Sequence, residues 1–565
     1  MQHVQTFGNL LAICVLSSAF CGGSSLAQAP SHVDSGNSVE FDKARSSEPM
    51  APRLQNLGNH IFPVTTVAKR AQLFVNQGLN LTYGFNHQEA GRSFREAARL
   101  DPDCAMAYWG QALVLGPNIN MSMDSQNEPK AYELVQKAAS LKRKVSPREQ
   151  AYIAALLQRY SGKPEDRAER DQAYANAMRE LHKHYPNDLD AATLFAESLM
   201  DLRPWNYWTR DNRPYPETTE IVTALEQVLR QDPSHPGANH YYIHVMELPH
   251  PERAEAAANR LASLMPGAGH MVHMPAHIYQ RVGRYADASA ANERAILADE
   301  DYIAQCQAQG IYPLTYFPHN IHFLWSSATM EGRSHAAIEA ARRTAEQIPP
   351  KAIAETPILQ GFVVVPYYAL TRFGKWQEIL REPQPAYNSP FVSGVWHYAR
   401  GMAYAGLREF DSASNELREV QEILRSPELA RAATWSNNSS SAILNIAVEA
   451  LAGEMAARQG QYDKAIAHLD KAVRLEDALE YAEPPDWHYP MRHSLGAVLL
   501  EAGRPAEAEV VYWQDLQRNP ENGWALFGLK KSLDAQGKSD QAAGIEKRFE
   551  VAWARADVTL TSSRF

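Results

Sequence analysis

A recurring glycine-to-alanine spacing constrains the fold of this chain more than any other feature. Glycine is followed five residues later by alanine in the pairs Gly283/Ala288, Gly332/Ala337, Gly460/Ala465, Gly503/Ala508 and Gly537/Ala542. A glycine that ends one helix in the left-handed conformation, followed by a small residue where the next helix packs, is typical of paired helices. Gly503 and Gly537 are 34 residues apart. The spacing therefore predicts an array of repeated helix pairs.

A second signal, proline after aspartate or asparagine, marks the other boundary of the unit. It occurs at Asp101-Pro102, Asp232-Pro233 and Asn519-Pro520. Proline cannot continue a helix, and it keeps the preceding residue extended. A new amphipathic stretch follows each of these dipeptides, which predicts that a fresh helix pair begins there.

These spacings resemble the tetratricopeptide repeat (TPR), a helix–turn–helix unit of about 34 residues. The clearest unit is Ala71–Cys104, with residues at the signature spacing of the repeat: Phe74, Gly78, Ala90, Phe94, Ala97 and Pro102. The resemblance implies an all-α, TPR-like superhelical solenoid over residues 64–556. One repeat is stretched, since Gly283 and Gly332 are 49 residues apart. The extra residues are expected between about Asp299 and Pro313.

Breaks in the pattern divide the chain into consecutive segments. Residues 1–29 are predicted to be a signal peptide, and residues 30–63, rich in Ser, Pro, Asn and charge, a disordered tether. N-terminal TPR-like pairs follow over 64–204 and a central histidine-rich array over 205–390. C-terminal TPR repeats over 391–556 and a tail over 557–565 complete the chain.

The N-terminus predicts export to the periplasm or beyond. Leu10–Phe20 is an apolar run too short to span a bilayer, and Ala27-Gln28-Ala29 is a plausible cleavage site. A lipoprotein attached through Cys21 is the alternative, although bulky Phe20 precedes that cysteine. No later segment has the length and apolarity of a membrane span.

The net charge and the cysteine content limit which partners and which disulfides are expected. The net charge is −10 and no long basic run occurs, so nucleic acid is not expected as a partner. After signal removal only Cys104 and Cys306 remain, and both are predicted to be free thiols.

Histidines concentrate in one window of the predicted solenoid. Ten of the 20 lie between His235 and His335. Seven of these ten form three bursts, each at the start of a first helix: Asn239–His244, Gly269–His277 and Phe317–His322. His240 and His273 are 33 residues apart, and His270 and His319 are 49 apart, which follows the repeat lengths. Repeat-related residues lie side by side in a solenoid, so the bursts are predicted to share one face.

Histidines three or four residues apart on a helix can chelate one ion. The candidate ligands for zinc, copper or iron are His240, His244, His270, His273, His277, His319, His322 and Glu247. Thioethers from Met271 and Met274 would favour copper. Pro275 leaves two possibilities open: a kinked helix that begins before it, or a helix that begins at it with His270 and His273 on the incoming loop.

Two functions remain open at this stage. In TPR proteins the first helices line a concave groove, which implies an exported scaffold that binds a peptide, a protein or a small ligand there. Tyr241, Met274 and His493 are further candidates for contact with such a ligand, and the loop Glu483–Pro490 is expected to approach the groove if the superhelix closes. The register of the histidines favours a metalloprotein instead, in which an open coordination position would activate water or oxygen. Whether the protein is an enzyme is left open.

Overall fold

The fold is an all-α solenoid, as predicted. In a computed structural model of the chain, the described residues are 49–306, 311–387, 389–429 and 438–565. Within these ranges the regular structure is helical, apart from two isolated β-bridges, Asn118 with Met121 and Trp208 with Pro214. The described part of the chain contains twenty-eight α-helices, which follow one another and pack mainly on their neighbours in sequence.

The helices fall into three consecutive groups. The first group is α1 (Lys69–Tyr83), α2 (His87–Leu100), α3 (Ala105–Leu113), α4 (Glu128–Ser140), α5 (Pro147–Leu156), α6 (Arg167–His184), α7 (Leu189–Met200) and α8 (Pro216–Gln231). The central group is α9 (Pro236–Met246), α10 (Pro251–Leu264), α11 (Gly269–His273), α12 (Pro275–Arg281), α13 (Tyr285–Cys306), α14 (Ile311–Leu314), α15 (Tyr316–Met330), α16 (Ser334–Glu346), α17 (Pro350–Glu355), α18 (Gln360–Val363), α19 (Val365–Arg372) and α20 (Trp376–Arg381). The third group is α21 (Pro390–Gly406), α22 (Phe410–Leu424), α23 (Ser440–Arg458), α24 (Tyr462–Asp477), α25 (Met491–Glu501), α26 (Pro505–Arg518), α27 (Gly523–Ala535) and α28 (Ser539–Ala552).

The repeated glycines adopt the conformation that their spacing predicts. The five that precede the spaced alanines have φ between +72° and +81°, the left-handed region in which glycine ends a helix. Each spaced alanine is nearly or fully buried, between 0 and 2% exposed. The second helix of each pair therefore packs closely where the turn ends.

The predicted insertion begins as an extension of a helix; its residues 307–310 lie outside the described part of the chain. Helix α13 extends over 22 residues to Cys306, and the short α14 follows. Buried Asp299, on the extension, accepts hydrogen bonds from Tyr312 Oη and Asn320 Nδ2, both at 2.7 Å. The extension thereby anchors the first turns of α15, which carries His319.

The solenoid closes onto its central repeats from both ends. Helix α1 packs against α9, and Nδ1 of His240 lies 2.6 Å from the carbonyl oxygen of Tyr83, the last residue of α1. From the other end, Trp524 Nε1 on α27 donates to the carbonyl of Thr329 on α15 at 2.9 Å. The histidine-bearing helices are consequently enclosed by repeats that are distant in sequence.

The tether predicted over residues 30–63 is wrong for residues 49–63, the part that the structure describes. Leu57 and Phe62 are buried at 7 and 0% exposure, and the backbone N–H of Phe62 donates to Asn76 Oδ1 on α1. These few apolar residues anchor the segment, whereas a composition averaged over the whole stretch conceals them. Residues 1–48, with the predicted signal peptide, lie outside the described part.

The tail at residues 557–565 also packs on the solenoid. Arg564 pairs with Glu501 at 2.7 Å, and Ser563 Oγ donates to the carbonyl of His493 at 2.7 Å. Cys104 and Cys306 are buried free thiols, as predicted. None of the helices in the described ranges combines the length and the apolarity that a bilayer crossing requires.

Gly110 provides a stability test of the repeat packing. The ring of buried Phe94 lies against its Cα, so an added Cβ would come within 2.3 Å of that ring. We expect Gly110→Ala to lower the free energy of unfolding by about 1–3 kcal/mol through overpacking. The matched control is Gly544→Ala, also in a helix but with no atom within 4 Å of the added Cβ. That variant is expected to gain about 0.5–1 kcal/mol. Urea unfolding followed by circular dichroism measures both, and equal effects would contradict the packing argument.

Candidate metal centre

Six predicted histidines converge as two groups of three. The first triad consists of His240 and His244 on α9 and His270 on α11; the second triad consists of His273 on α11, His277 on α12 and His319 on α15. In each triad one nitrogen from every ring lies within 4.8 Å of the other two. All six side chains are buried, with exposed fractions between 0 and 8%.

A break at Met274 divides the segment that carries three of these histidines into two short helices. Helix α11 ends at His273, Met274 keeps right-handed helical angles (φ −50°, ψ −36°), and α12 begins at Pro275. The kinked arrangement is therefore the correct one of the two possibilities at Pro275. His270 and His273 both lie on α11, before the break, but enter different triads; His277, after the break, joins His273 in the second triad.

The nitrogen separations suit ligands of a common ion. Nε2 of His240 lies 3.0 Å from Nε2 of His244 and 3.2 Å from Nε2 of His270. In the second triad, the Nε2 atoms of His273 and His277 are 2.9 Å apart. Metal–imidazole bonds of about 2.0–2.1 Å place adjacent ligand nitrogens roughly 3.0–3.4 Å apart. The triads are thus close to the dimensions of a coordination shell.

Hydrogen bonds on the far side of the rings fix which nitrogen is available. Nδ1 of His240 faces the carbonyl of Tyr83 at 2.6 Å, and a carbonyl only accepts. Nδ1 of His273 faces Oδ1 of Asn292 at 2.6 Å, while the Asn292 amide donates to the Ala288 carbonyl. Both histidines therefore carry their proton on Nδ1 and direct the Nε2 lone pair into their triads. Such outer partners orient the imidazole ligands of metal sites.

Two buried glutamates lie on the far side of two further rings, those of His244 and His277. Glu247 lies 3.6 Å from Nδ1 of His244 and 3.1 Å from Nδ1 of His277, so one carboxylate serves both triads. Glu483, from the loop before α25, lies 2.8 Å from the same Nδ1 of His277. Arg281 Nε is 3.8 Å from Glu483. Negative charge next to these imidazole rings makes them stronger ligands for a metal ion.

Burial and mutual repulsion keep most of the imidazoles neutral. These two causes lower the pKa of His240, His270, His273 and His319 well below the ordinary value of 6.5. His277 differs: burial opposes protonation, but Glu247 and Glu483 raise its pKa to about 10. Neutral imidazoles are the form that binds metal. Without metal, a proton on Nε2 of His277 can bridge to His273.

The two triads are adjacent to each other. The ring centroids of His270 and His273, one from each triad, are 6.0 Å apart, and those of His244 and His277 are 6.2 Å apart. Trp205 lies edge-on to His244 at 5.1 Å and is itself 40% exposed.

Two predicted ligands occupy other positions. His322 stacks on Trp325 with ring centroids 5.1 Å apart and planes within 5°, and burial lowers its pKa to about 3. Three residues along α15 from His319, its side chain is turned away from the triads. Glu247 approaches the Nδ1 atoms and not the converging Nε2 atoms, so it is an outer partner of the triads.

The residues expected to contact a groove ligand are all buried. Tyr241 is 1% exposed and packs against Tyr83, and Met274 is fully enclosed in the apolar core. His493 binds Asp515 at 2.9 Å and Arg372 at 2.9 Å in the C-terminal repeats, away from both triads. The loop Glu483–Pro490 does approach the histidines, through Glu483.

Sequence reasoning missed several partners of the site. Tyr83, Phe85 and Asn292 carry no recognisable motif, and they approach the triads from α1, the turn after it, and α13. A further cluster of titratable side chains, outside the two triads, was missed as well, although one of its members, His235, lies within the histidine window.

That cluster consists of His60, Asp190 and His235 and lies beside an open cavity of about 770 Å³. Oδ1 of Asp190 accepts from Tyr83 Oη at 2.7 Å and lies 2.8 Å from His60 Nε2 and 3.3 Å from His235 Nε2. Nδ1 of His235 accepts the backbone N–H of Ala238. The proton of His235 is therefore on Nε2 and points at Asp190, which makes this cluster a hydrogen-bond network and a poor metal site.

Comparisons with known proteins add little beyond the helical architecture. No family model and no curated protein matches the chain. Among solved structures it is similar to the human IFIT1 dimer with m7Gppp-AAAA, with 12% identity over 87% of this chain and 92% of that chain and a TM-score of 0.31. A monomeric mutant of IFIT1 with Gppp-AAAA gives 13% identity, 79 and 90% coverage and a TM-score of 0.32. Scores this low carry no argument about ligands, so the exclusion of nucleic acid stays a prediction.

Proposed function

We propose that the protein is a metalloprotein whose two triads hold two transition-metal ions side by side. The observation that carries this proposal is the convergence of one ring nitrogen from every histidine within each triad, with the Nδ1 atoms of His240 and His273 committed to fixed acceptors. Three ligands per ion leave coordination positions open, as in catalytic metal sites. Export to the periplasm or beyond remains part of this proposal.

Copper is the ion that the donor set favours. The converging atoms are imidazole nitrogens throughout, which suit copper, zinc, iron and nickel, and copper(II) forms the most stable complexes of the divalent series. Iron sites that activate oxygen commonly include a carboxylate ligand, whereas Glu247 here faces the Nδ1 side of the rings. Zinc is the alternative that elemental analysis distinguishes.

The burial of the triads weighs against the scaffold alternative for these histidines. A peptide bound in a groove contacts exposed side chains, whereas the six histidines of the triads are at most 8% exposed. The solenoid surrounds them with α1, α9, α13 and the loop that carries Glu483. A partner protein could reach them only after the closing contacts had opened.

Elemental analysis of the purified chain tests the proposal. We expect about two copper or zinc ions per chain in the wild type and none in the triple variant His240/His273/His319→Ala. The matched control removes three histidines outside the triads, His184/His250/His335→Ala, and is expected to keep both ions. Substoichiometric metal in both the wild type and this control would overturn the proposal.

Asn292 gives a milder test that separates the triads. Replacing it by leucine in Asn292→Leu removes the acceptor that holds Nδ1 of His273, and loss of such an outer partner typically costs about 10–100-fold in metal affinity. We expect this loss for one ion only, measured by competition with a chromogenic chelator. The first triad is the internal control, and equal weakening of both ions would contradict separate sites.

A second candidate function rests on the cavity of about 770 Å³ beside His60 and Asp190. Its wall includes the Arg148–Asp188 ion pair, at 2.6 Å, and Tyr185. Its volume falls within the range of small-molecule sites, which favours a small polar ligand for the predicted scaffold. Native mass spectrometry tests this: a bound mass released by denaturation supports it, and a mass equal to that of the mature chain plus metal counts against it.

A further inference from the structure

Each triad is covered by one phenylalanine that contacts all three of its imidazoles. The Phe85 ring lies 4.7, 6.0 and 5.5 Å from the rings of the first triad. The Phe323 ring lies 4.8, 4.6 and 5.5 Å from the rings of the second triad. Both phenylalanines are buried, at 4 and 0% exposure. The space next to each candidate ion is therefore apolar as well as enclosed.

The backbone at Phe85 is held in an unfavourable conformation that sets its ring against the first triad. Its φ is +58°, in the left-handed region that bulky side chains rarely adopt and that costs about 1–3 kcal/mol. The turn that ends α1 maintains this conformation, since the backbone N–H of Asn86 donates to the carbonyl of Leu81 in α1. Strain of this kind clusters at ligand and active sites.

This environment selects the ligand by size and charge. The enclosure excludes bulky organic substrates, and an anion would lose its hydration on entering the buried space that Phe85 and Phe323 line. A small neutral molecule encounters neither obstacle. Two adjacent ions can also act on one diatomic molecule together, each from its own triad.

Building on the proposed function, we propose that the copper-loaded centre binds dioxygen between the two triads. Copper is among the centres that carry out oxygen chemistry. Each of two copper(I) ions gives up one electron and becomes copper(II), and dioxygen takes up both electrons and is reduced to the level of peroxide. The bond between the oxygen atoms is retained, no proton is transferred, and no other reductant takes part in binding.

The test loads metal-free protein with two equivalents of copper(I) without air and then adds dioxygen. The expected result is uptake of about one dioxygen per two coppers, accompanied by a new charge-transfer absorption, with neither in zinc-loaded protein. His240→Ala, which keeps the second triad, is expected to take up dioxygen at least about tenfold more slowly per copper, because only one electron is at hand. Two bound coppers without uptake would overturn this inference and leave the metal proposal standing. Fewer than two bound ions in the wild type would overturn the metal proposal itself.

A second variant tests the enclosure. Phe85→Ala should retain two coppers, because Phe85 supplies no ligand, but it opens the apolar cover. In the wild type we expect the anionic oxidant ferricyanide to oxidise the copper(I) ions at least about tenfold more slowly than dioxygen does, and the variant should lose that selectivity. Equal rates for both oxidants in the wild type would contradict selection by an apolar enclosure.

Discussion

Replacing His240 by alanine is expected to lower the metal content of the chain from two ions to one. His240 is the residue at which the first triad meets: its Nε2 lies 3.0 Å from that of His244 and 3.2 Å from that of His270. Without it, two neutral imidazoles remain, and these cannot form the three-ligand set that holds a transition metal tightly. The second triad shares no ligand nitrogen with the first, so its ion should remain.

The corresponding variant of the second triad tests whether the two sites lose their ions independently. His319→Ala should also lose one ion, and the double variant His240/His319→Ala should lose both. His322→Ala is the matched control on α15, since His322 stacks on Trp325 outside both triads and its loss should leave two ions. Mass spectrometry under native conditions counts the ions directly. Loss of both ions from either single variant would show that the triads form one cooperative site.

The fold was predictable because its signals are local. Each spaced glycine ends a helix within its own repeat, and the observed φ values from +72° to +81° follow from a steric rule that needs no distant contact. The packing of residues 49–63 was not predictable in this way. It depends on Phe62 meeting Trp109, with ring centroids 5.9 Å apart, and no periodic pattern in the segment announces that contact.

In the candidate site, too, the residues marked by local spacing were predictable and the long-range contacts were not. His240, His244, His273 and His277 were recognisable because helical spacing and repeat register are written in the sequence. The division into two triads was not recognisable, because His270 and His273 lie on the same short helix α11 and yet enter different triads. Glu483 contacts His277 across about 200 residues of chain. Contacts of this range depend on how the superhelix closes, which is the sum of many small rotations between repeats.

Removal of the Asp190 carboxylate is expected to produce the largest loss of stability. Asp190 is 6% exposed, and its Oδ1 accepts from Tyr83 Oη and lies within 3.3 Å of His60 Nε2 and His235 Nε2. Asp190→Ala would leave the Tyr83 hydroxyl and the His235 N–H buried without this acceptor. Loss of one partner from a buried ionic network typically costs about 3–5 kcal/mol. The control is Asp232→Ala beside the same cavity, a half-buried aspartate that accepts the backbone N–H of Ser234 and should cost about 1 kcal/mol.

The pH dependence of the difference in unfolding free energy between wild type and Asp190→Ala identifies the cause of the lost stability. Burial alone would raise the pKa of Asp190, but the hydrogen bonds from His235 and His60 and the charge of His60 hold it below the ordinary value of 3.8. A carboxylate with a lowered pKa contributes stability above its unfolded-state pKa and loses it as the pH falls through its folded-state pKa. The gap in unfolding free energy between wild type and Asp190→Ala should therefore be wide near neutral pH and narrow progressively once the pH falls below 3.8. Urea unfolding across this range measures the gap. A gap that does not change with pH would assign the loss to packing, because a cavity left by the side chain is insensitive to protonation.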